Sequence, residues 1–150
     1  MDFKMDNKSI FENISNMETF ALTIYGEARG EPIEGQIAVA NVIYNRSENN
    51  NYKEVCLKPR QFSCWNKFDP NFPMLLEMGE KLILGTEIND MYFEQCKYIA
   101  IGIDQRKILD NTHGSENYLT KHLFYSDRKP EWAKNVKSFM ELGSQVFFTA

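Results

Sequence analysis

A chain of 150 residues with 17 lysines and arginines against 21 aspartates and glutamates carries a formal net charge of −4 at neutral pH. Its length and its 43% hydrophobic content suit one domain over residues 1–150, with its own core and no separate binding module. The absence of a long basic cluster excludes a nucleic-acid footprint and a stable membrane association, and no segment is apolar for long enough to span a bilayer. Residues 1–14 mix charge with isolated apolar positions and read as a flexible N-terminal extension. They lack the apolar run and small-residue cleavage site of a secretory signal, so synthesis in the cytoplasm is expected.

Ser15-Asn16-Met17-Glu18 is a capping-box pattern, and Met17, Phe20, Ala21, Ile24, Tyr25 and Ala28 recur at helical spacing. Together they predict a helix over roughly 16–29. Gly30 suits the left-handed position beyond a helix end, and Pro32 suits the first turn of a second helix running to about Arg46. That helix is small or apolar nearly all round, through Ala38, Val39, Ala40, Val42 and Ile43, as a buried helix requires. Residues 47–52 form an Asn-rich loop. Between Lys53 and Phe72, prolines break any long element while Phe62, Trp65, Phe68 and Phe72 predict an ordered, aromatic-rich loop. Helical periodicity returns from Met74 to about Leu84 and from Asn89 to about Ile103. Thr112 to Tyr125 reads as a hairpin or loop, Pro130 to Leu142 as a final helix ended by Gly143, and Val146-Phe147-Phe148 as a terminal strand. The expected class is α+β, predominantly helical with a short β-hairpin or small sheet.

Cys56, Cys64 and Cys96 are an odd set, which argues for reduced structural thiols and against a disulfide framework. With His113 and His122 they lack the close paired spacing of a zinc site, so no metal and no cofactor is expected.

The segment Ile24-Tyr25-Gly26-Glu27-Ala28-Arg29-Gly30-Glu31-Pro32 places two carboxylates at a helix end. Glu27 lies one turn beyond Ile24 and two beyond Phe20, at the edge of the buried stripe. Partial burial and the negative end of the helix dipole both favour its protonated form near neutral pH, the condition for a general acid. Pairing with Arg29 or Arg46 would oppose that shift, and spacing alone leaves open an ordinary exposed helix-terminal Glu. Glu31 falls in the turn, where it supports the start of the second helix, and Glu34 is a weaker candidate.

The blocks Tyr25 to Pro32, Glu34 to Val42 and Asn45-Arg46, followed by Gln61-Phe62-Ser63-Cys64-Trp65, closely resemble the SleB-type cell-wall hydrolase family of spore-cortex-lytic enzymes and phage endolysins. A looser likeness continues at Asp110 to Tyr118 and at Pro130 to Phe147. The resemblance implies a lysozyme-like domain acting on peptidoglycan glycan strands, with the family's catalytic acid falling on Glu27. It also implies a lytic transglycosylase, in which one Glu protonates the leaving oxygen and then helps the muramic 6-hydroxyl attack the anomeric carbon. A hydrolytic N-acetylmuramidase would require a second carboxylate across the sugar, and Asp69, Asp104 and Asp110 are open for that role. Gln61, Phe62, Ser63 and Trp65 would line the saccharide cleft. The family's Thr-Gly-Gly segment meets Thr112-His113-Gly114 here, with His113 in place of a Gly; it leads to Asn117 and Tyr118, also site candidates. A phage or prophage endolysin released by a holin, monomeric and acting on the wall, is the setting expected.

Two other readings remain. Ser63-Cys64-Trp65 partly echoes the nucleophile segment of papain-like peptidases, with His113 and His122 downstream, but lacks the upstream Cys-Gly and the wide spacing. A non-catalytic wall-binding module is the other, and the intact Glu27 argues against it.

Overall fold

Asp6 and Ser15 start the first two helices of the computed structural model, which describes residues 5–149. Asp6 accepts from Ser9 N at 2.8 Å and opens α1 (Asn7–Asn13), so part of the expected N-terminal extension is helical; its first four residues lie outside the described ones. Ile10 and Ile14 are buried, and α1 packs on α5, described below. The capping box forms as written: Ser15 Oγ accepts from Glu18 N at 3.1 Å and Glu18 Oε1 accepts from Ser15 N at 3.0 Å. It opens α2 (Asn16–Ala28), which is buried almost throughout and lies at the centre of the molecule.

Around α2 pack α3 (Ile33–Arg46), α4 (Tyr52–Leu57), α5 (Phe72–Ile83) and α6 (Met91–Asp104). The expected helices over 16–29, 32–46, 74–84 and 89–103 are thus present within a few residues. The loop expected between Lys53 and Phe72 is partly helical instead. Asn51 Oδ1 accepts from Glu54 N at 3.2 Å to start α4, and a 3-10 turn covers Ser63–Trp65. Phe20, Leu22, Ile24, Val39, Val42, Ile43, Phe93 and Ile103 form the main core.

The second layer is a three-stranded antiparallel sheet of β1 (Asn117–Thr120), β2 (Phe139–Leu142) and β3 (Gln145–Phe148), in the order β1-β3-β2. Short α7 (Lys121–Phe124) and a 3-10 turn at Glu131–Ala133 cover one face, around Phe124, Ala133, Val146 and Phe148. The final helix expected over Pro130 to Leu142 is therefore a correction. Trp132, Val136 and Met140 sit four apart and mimic a helical stripe, but residues 139–142 gain a full ladder with β3 through a two-residue turn. Gly143, at φ 60°, supplies the left-handed conformation which that turn needs. The register Tyr118↔Phe147↔Met140 puts those three side chains on the face toward the helices, where Tyr118 and Phe147 join the main core. Among the described residues no helix is long and apolar enough to cross a membrane.

Candidate active site

Near the C-terminal end of α2, Gly26 lets another segment come unusually close. A methyl group built there would sit 2.8 Å from Cys64 Cβ and Leu75 Cδ1 and 2.9 Å from Cys64 Sγ. With only hydrogen at Gly26, the 63–65 turn rests directly on the helix. Cys64 N then donates to Glu27 Oε2 at 3.1 Å, and Ser63 Oγ lies 3.3 Å from the same oxygen. Gly26→Ala is expected to destabilise the fold by about 1–3 kcal/mol through overpacking. Gly30→Ala, which has nothing within 4 Å of the added methyl, serves as the control. Urea unfolding of both variants checks this; equal midpoints would remove the tight contact from the account.

The other oxygen of Glu27 accepts from the Tyr118 hydroxyl on β1. Burial first, and then the charge and hydrogen bond of Glu27, hold the Tyr118 pKa well above its usual value of 10.0. The half-buried carboxylate therefore receives a phenol, a hydroxyl and a backbone amide from two separate segments. Arg46, at the end of α3, closes one side. Its guanidinium lies 5.0 Å over the Phe62 ring, while it donates to Gln61 Oε1 at 3.3 Å and to the Glu116 carbonyl. It thereby ties the 61–65 segment to the strand that carries Tyr118.

Asp110 holds the loop leading to β1. It accepts from Thr112 Oγ1 at 2.6 Å, Thr112 N at 2.7 Å, Gly114 N at 2.9 Å and Asn45 Nδ2 at 3.1 Å. Burial acts to raise its pKa, but these hydrogen bonds outweigh burial and the pKa is lowered from 3.8. A carboxylate with a lowered folded-state pKa stabilises the fold above its ordinary pKa, and that contribution is lost as pH falls through the lowered value. Asp110→Asn is expected to cost about 1–3 kcal/mol at pH 7, with the gap to wild type closing in acid. Denaturant midpoints between pH 7 and pH 3 test this, and a gap constant with pH would oppose it.

The structure sorts the other expected site residues by what they touch. Ser63 and Tyr118 meet Glu27, while exposed Gln61 meets Arg46 and not Glu27. Phe62 was expected to line a cleft; at 1% exposure beneath Arg46 it has no face to offer a sugar and props the site from within. Trp65 is fastened to α2 through Nε1 to Thr23 Oγ1 at 2.8 Å and packs edge-on against Phe11. Asn117 neighbours Tyr118 in sequence, so strand alternation turns it to the opposite face of the sheet.

Glu31 does not cap α3. Its Oε1 accepts from Ser144 N at 3.2 Å and from Ser144 Oγ, so it clasps the β2–β3 turn to the α2–α3 corner. All three thiols are buried, and burial raises the Cys56 and Cys96 pKa values to about 12 and pushes Cys64 up further. A protonated, enclosed Cys64 makes a poor nucleophile, against the cysteine-peptidase reading. Arg46, weighed only as a possible partner of Glu27, and the Cys64 amide are site groups that residue-level reasoning did not select. The Asn45-Arg46 pair inside the motif block was the available signal for the first.

A helical core whose central helix ends in a carboxylate facing a small antiparallel sheet defines a lysozyme-like α+β domain. The sequence model for cell wall hydrolases matches residues 30–148, beginning just after Glu27, and the chain belongs to the cell wall hydrolase family. Among characterised relatives, a spore cortex-lytic enzyme of Oceanobacillus iheyensis is 43% identical over 53 residues, covering 33% of this chain and 19% of that protein. A spore cortex-lytic enzyme of Bacillus subtilis is 56% identical over 32 residues, covering 21% of this chain and 10% of the relative. The chain thus spans about a fifth or less of the relatives it matches. In fold it is similar to the catalytic domain of the Bacillus cereus SleB protein, with a TM-score of 0.59 and 24% identity over 89% of each chain. The catalytic domain of the germination-specific lytic transglycosylase SleB from Bacillus anthracis gives a TM-score of 0.56 and 22% identity, over 99% of this chain and 100% of that one.

Proposed function

We propose that this chain cleaves the glycosidic bond between N-acetylmuramic acid and N-acetylglucosamine in peptidoglycan, with Glu27 as general acid and then general base. The convergence of Tyr118, Ser63 and the Cys64 amide on the Glu27 carboxylate carries this reading. Glu27 gives its proton to the oxygen leaving the muramic anomeric carbon as that bond breaks. The three donors then stabilise the carboxylate left behind. The muramic 6-hydroxyl attacks the anomeric carbon and returns its proton to Glu27, closing a 1,6-anhydro ring and restoring the acid.

Engagement of the alternative carboxylates supports the transglycosylase outcome. Asp104 accepts from Tyr52 at 2.6 Å, Asp69 accepts from Asn71 N at 2.8 Å, and Asp110 holds its own loop. None of these hydrogen bonds is made to the Glu27 cluster. Mass spectrometry of muropeptides released from purified murein tests the reading: anhydro-muramic ends are expected, and reducing muramic ends would make the enzyme a hydrolytic muramidase. We further propose that the activity serves as a phage or prophage endolysin, synthesised in the cytoplasm and acting on the wall as a monomer. Host lysis on co-expression with a holin, and survival without one, is the expected result; equal lysis in both cultures would oppose that setting.

A further inference from the structure

A cavity of about 750 Å³ lies at the end of the sheet where Asn117, Phe148 and Phe139 pair, between the loop at 112–115 and residues 132–140. We propose that it binds the peptide stem of a peptidoglycan strand through the stem's carboxylates. The inference rests on the peptidoglycan reading and adds a second contact region to it.

Continuity with the candidate acid is the first observation. Phe147 and Met140 line the cavity and share a sheet face with Tyr118, whose ring centroid is 5.6 Å from that of Phe147. The cavity therefore begins one side-chain row from the hydroxyl that touches Glu27. Phe147 is fully buried and forms the wall between the two, so a stem branching from a muramic residue seated beside Glu27 reaches the cavity around that ring and not across it.

Charge is the second observation. In a chain of net charge −4, no Asp or Glu lines this cavity among the described residues, while Lys137 and His113 do. Nearby Lys134 is paired with Glu131, while Lys137 forms no ion pair among the described residues. His113 stands at φ 55° in the left-handed region, a conformation that disfavours a side chain, yet it places an imidazole on the cavity wall.

The walls complete the match. Trp132 is 55% exposed and stacks on Phe148 with centroids 5.8 Å apart, and Phe139 is 42% exposed. These rings offer apolar surface to the small alkyl side chains of a stem, and Asn135 can bond its amides. A short peptide combining methyl groups, amides and free carboxylates fits this lining better than an uncharged sugar, which has no use for an unpaired lysine.

Calorimetric titration of the full chain carrying Glu27→Gln tests the proposal with three probes. They are an N-acetylglucosamine–N-acetylmuramic acid disaccharide bearing a tetrapeptide stem with free carboxylates, the same molecule with the stem carboxylates amidated, and the stem-free disaccharide. The free-carboxylate stem is expected to bind about 5- to 10-fold more tightly than the amidated one. Lys137→Glu is expected to abolish that preference, leaving both thermal unfolding and affinity for the stem-free disaccharide unchanged. Equal affinity for free and amidated stems, a preference that survives Lys137→Glu, or stem-free sugar binding as tightly as the stemmed probe would each overturn it. Murein cleavage without a stem preference would sink this inference alone, whereas a stem preference without cleavage would sink the proposed activity alone.

Discussion

Glu27→Gln is expected to slow murein clearing by about 100- to 10,000-fold, the range that a positioned general acid contributes. The substitution keeps the shape of the side chain and an oxygen for Tyr118 to meet, but removes the transferable proton. Its amide nitrogen faces Cys64 N–H and Ser63 Oγ, where an acceptor stood. One lost hydrogen bond lowers stability by about 1 kcal/mol, so the variant should remain folded at assay temperature. Zymography on purified murein beside a thermal melt separates the two effects. Clearing equal to wild type would end the case for Glu27.

Tyr118→Phe carries the second large effect, a fall in kcat of about 100-fold, within the range for deleting one preorganised donor to a developing charge. The ring stays packed on Phe147 and only the hydroxyl is lost, so a residue serving the core alone would leave activity nearly intact. Because the Tyr118 pKa is held above 10.0, wild type should show no loss of rate from tyrosine ionisation up to that pH. Steady-state kinetics on soluble glycan fragments gives the readout. A change confined to KM would place Tyr118 in substrate binding and not beside the acid.

Local chemistry made most of the helical layer readable. Ser15 and Glu18 form the box that their spacing announces, and Pro32 marks the break between α2 and α3 from the N-cap of α3, one residue before its first turn; Gly30 does not take the left-handed conformation expected of it. The start of α4 carried a similar signal in Asn51 and Glu54, obscured by the prolines that follow it. Residues 139–142 were misread because strand identity there depends on pairing with β3, whereas Trp132, Val136 and Met140 satisfy a helical period by themselves.

The site divides along the same line. Glu27 at the edge of a buried stripe follows from periodicity, and Ser63 and Tyr118 were identified through motif resemblance. Their meeting with Glu27 is not legible locally, since Tyr118 lies 91 residues away in sequence. Phe62 shows the converse error. An aromatic residue in an irregular segment looks like part of a sugar platform, but Phe62 fills the core.

The strand order β1-β3-β2 has a consequence in time. β3 is the middle strand, yet it is the last described element to leave the ribosome, and neither β1 nor β2 has a ladder partner until it does. The helices up to Asp104 pack on one another without it, so they are free to fold while synthesis continues. Tyr118 has no fixed seat opposite Glu27 until residues 145–148 arrive. A nascent chain, or one cut short of β3, thus lacks the ladder that seats Tyr118 opposite its acid.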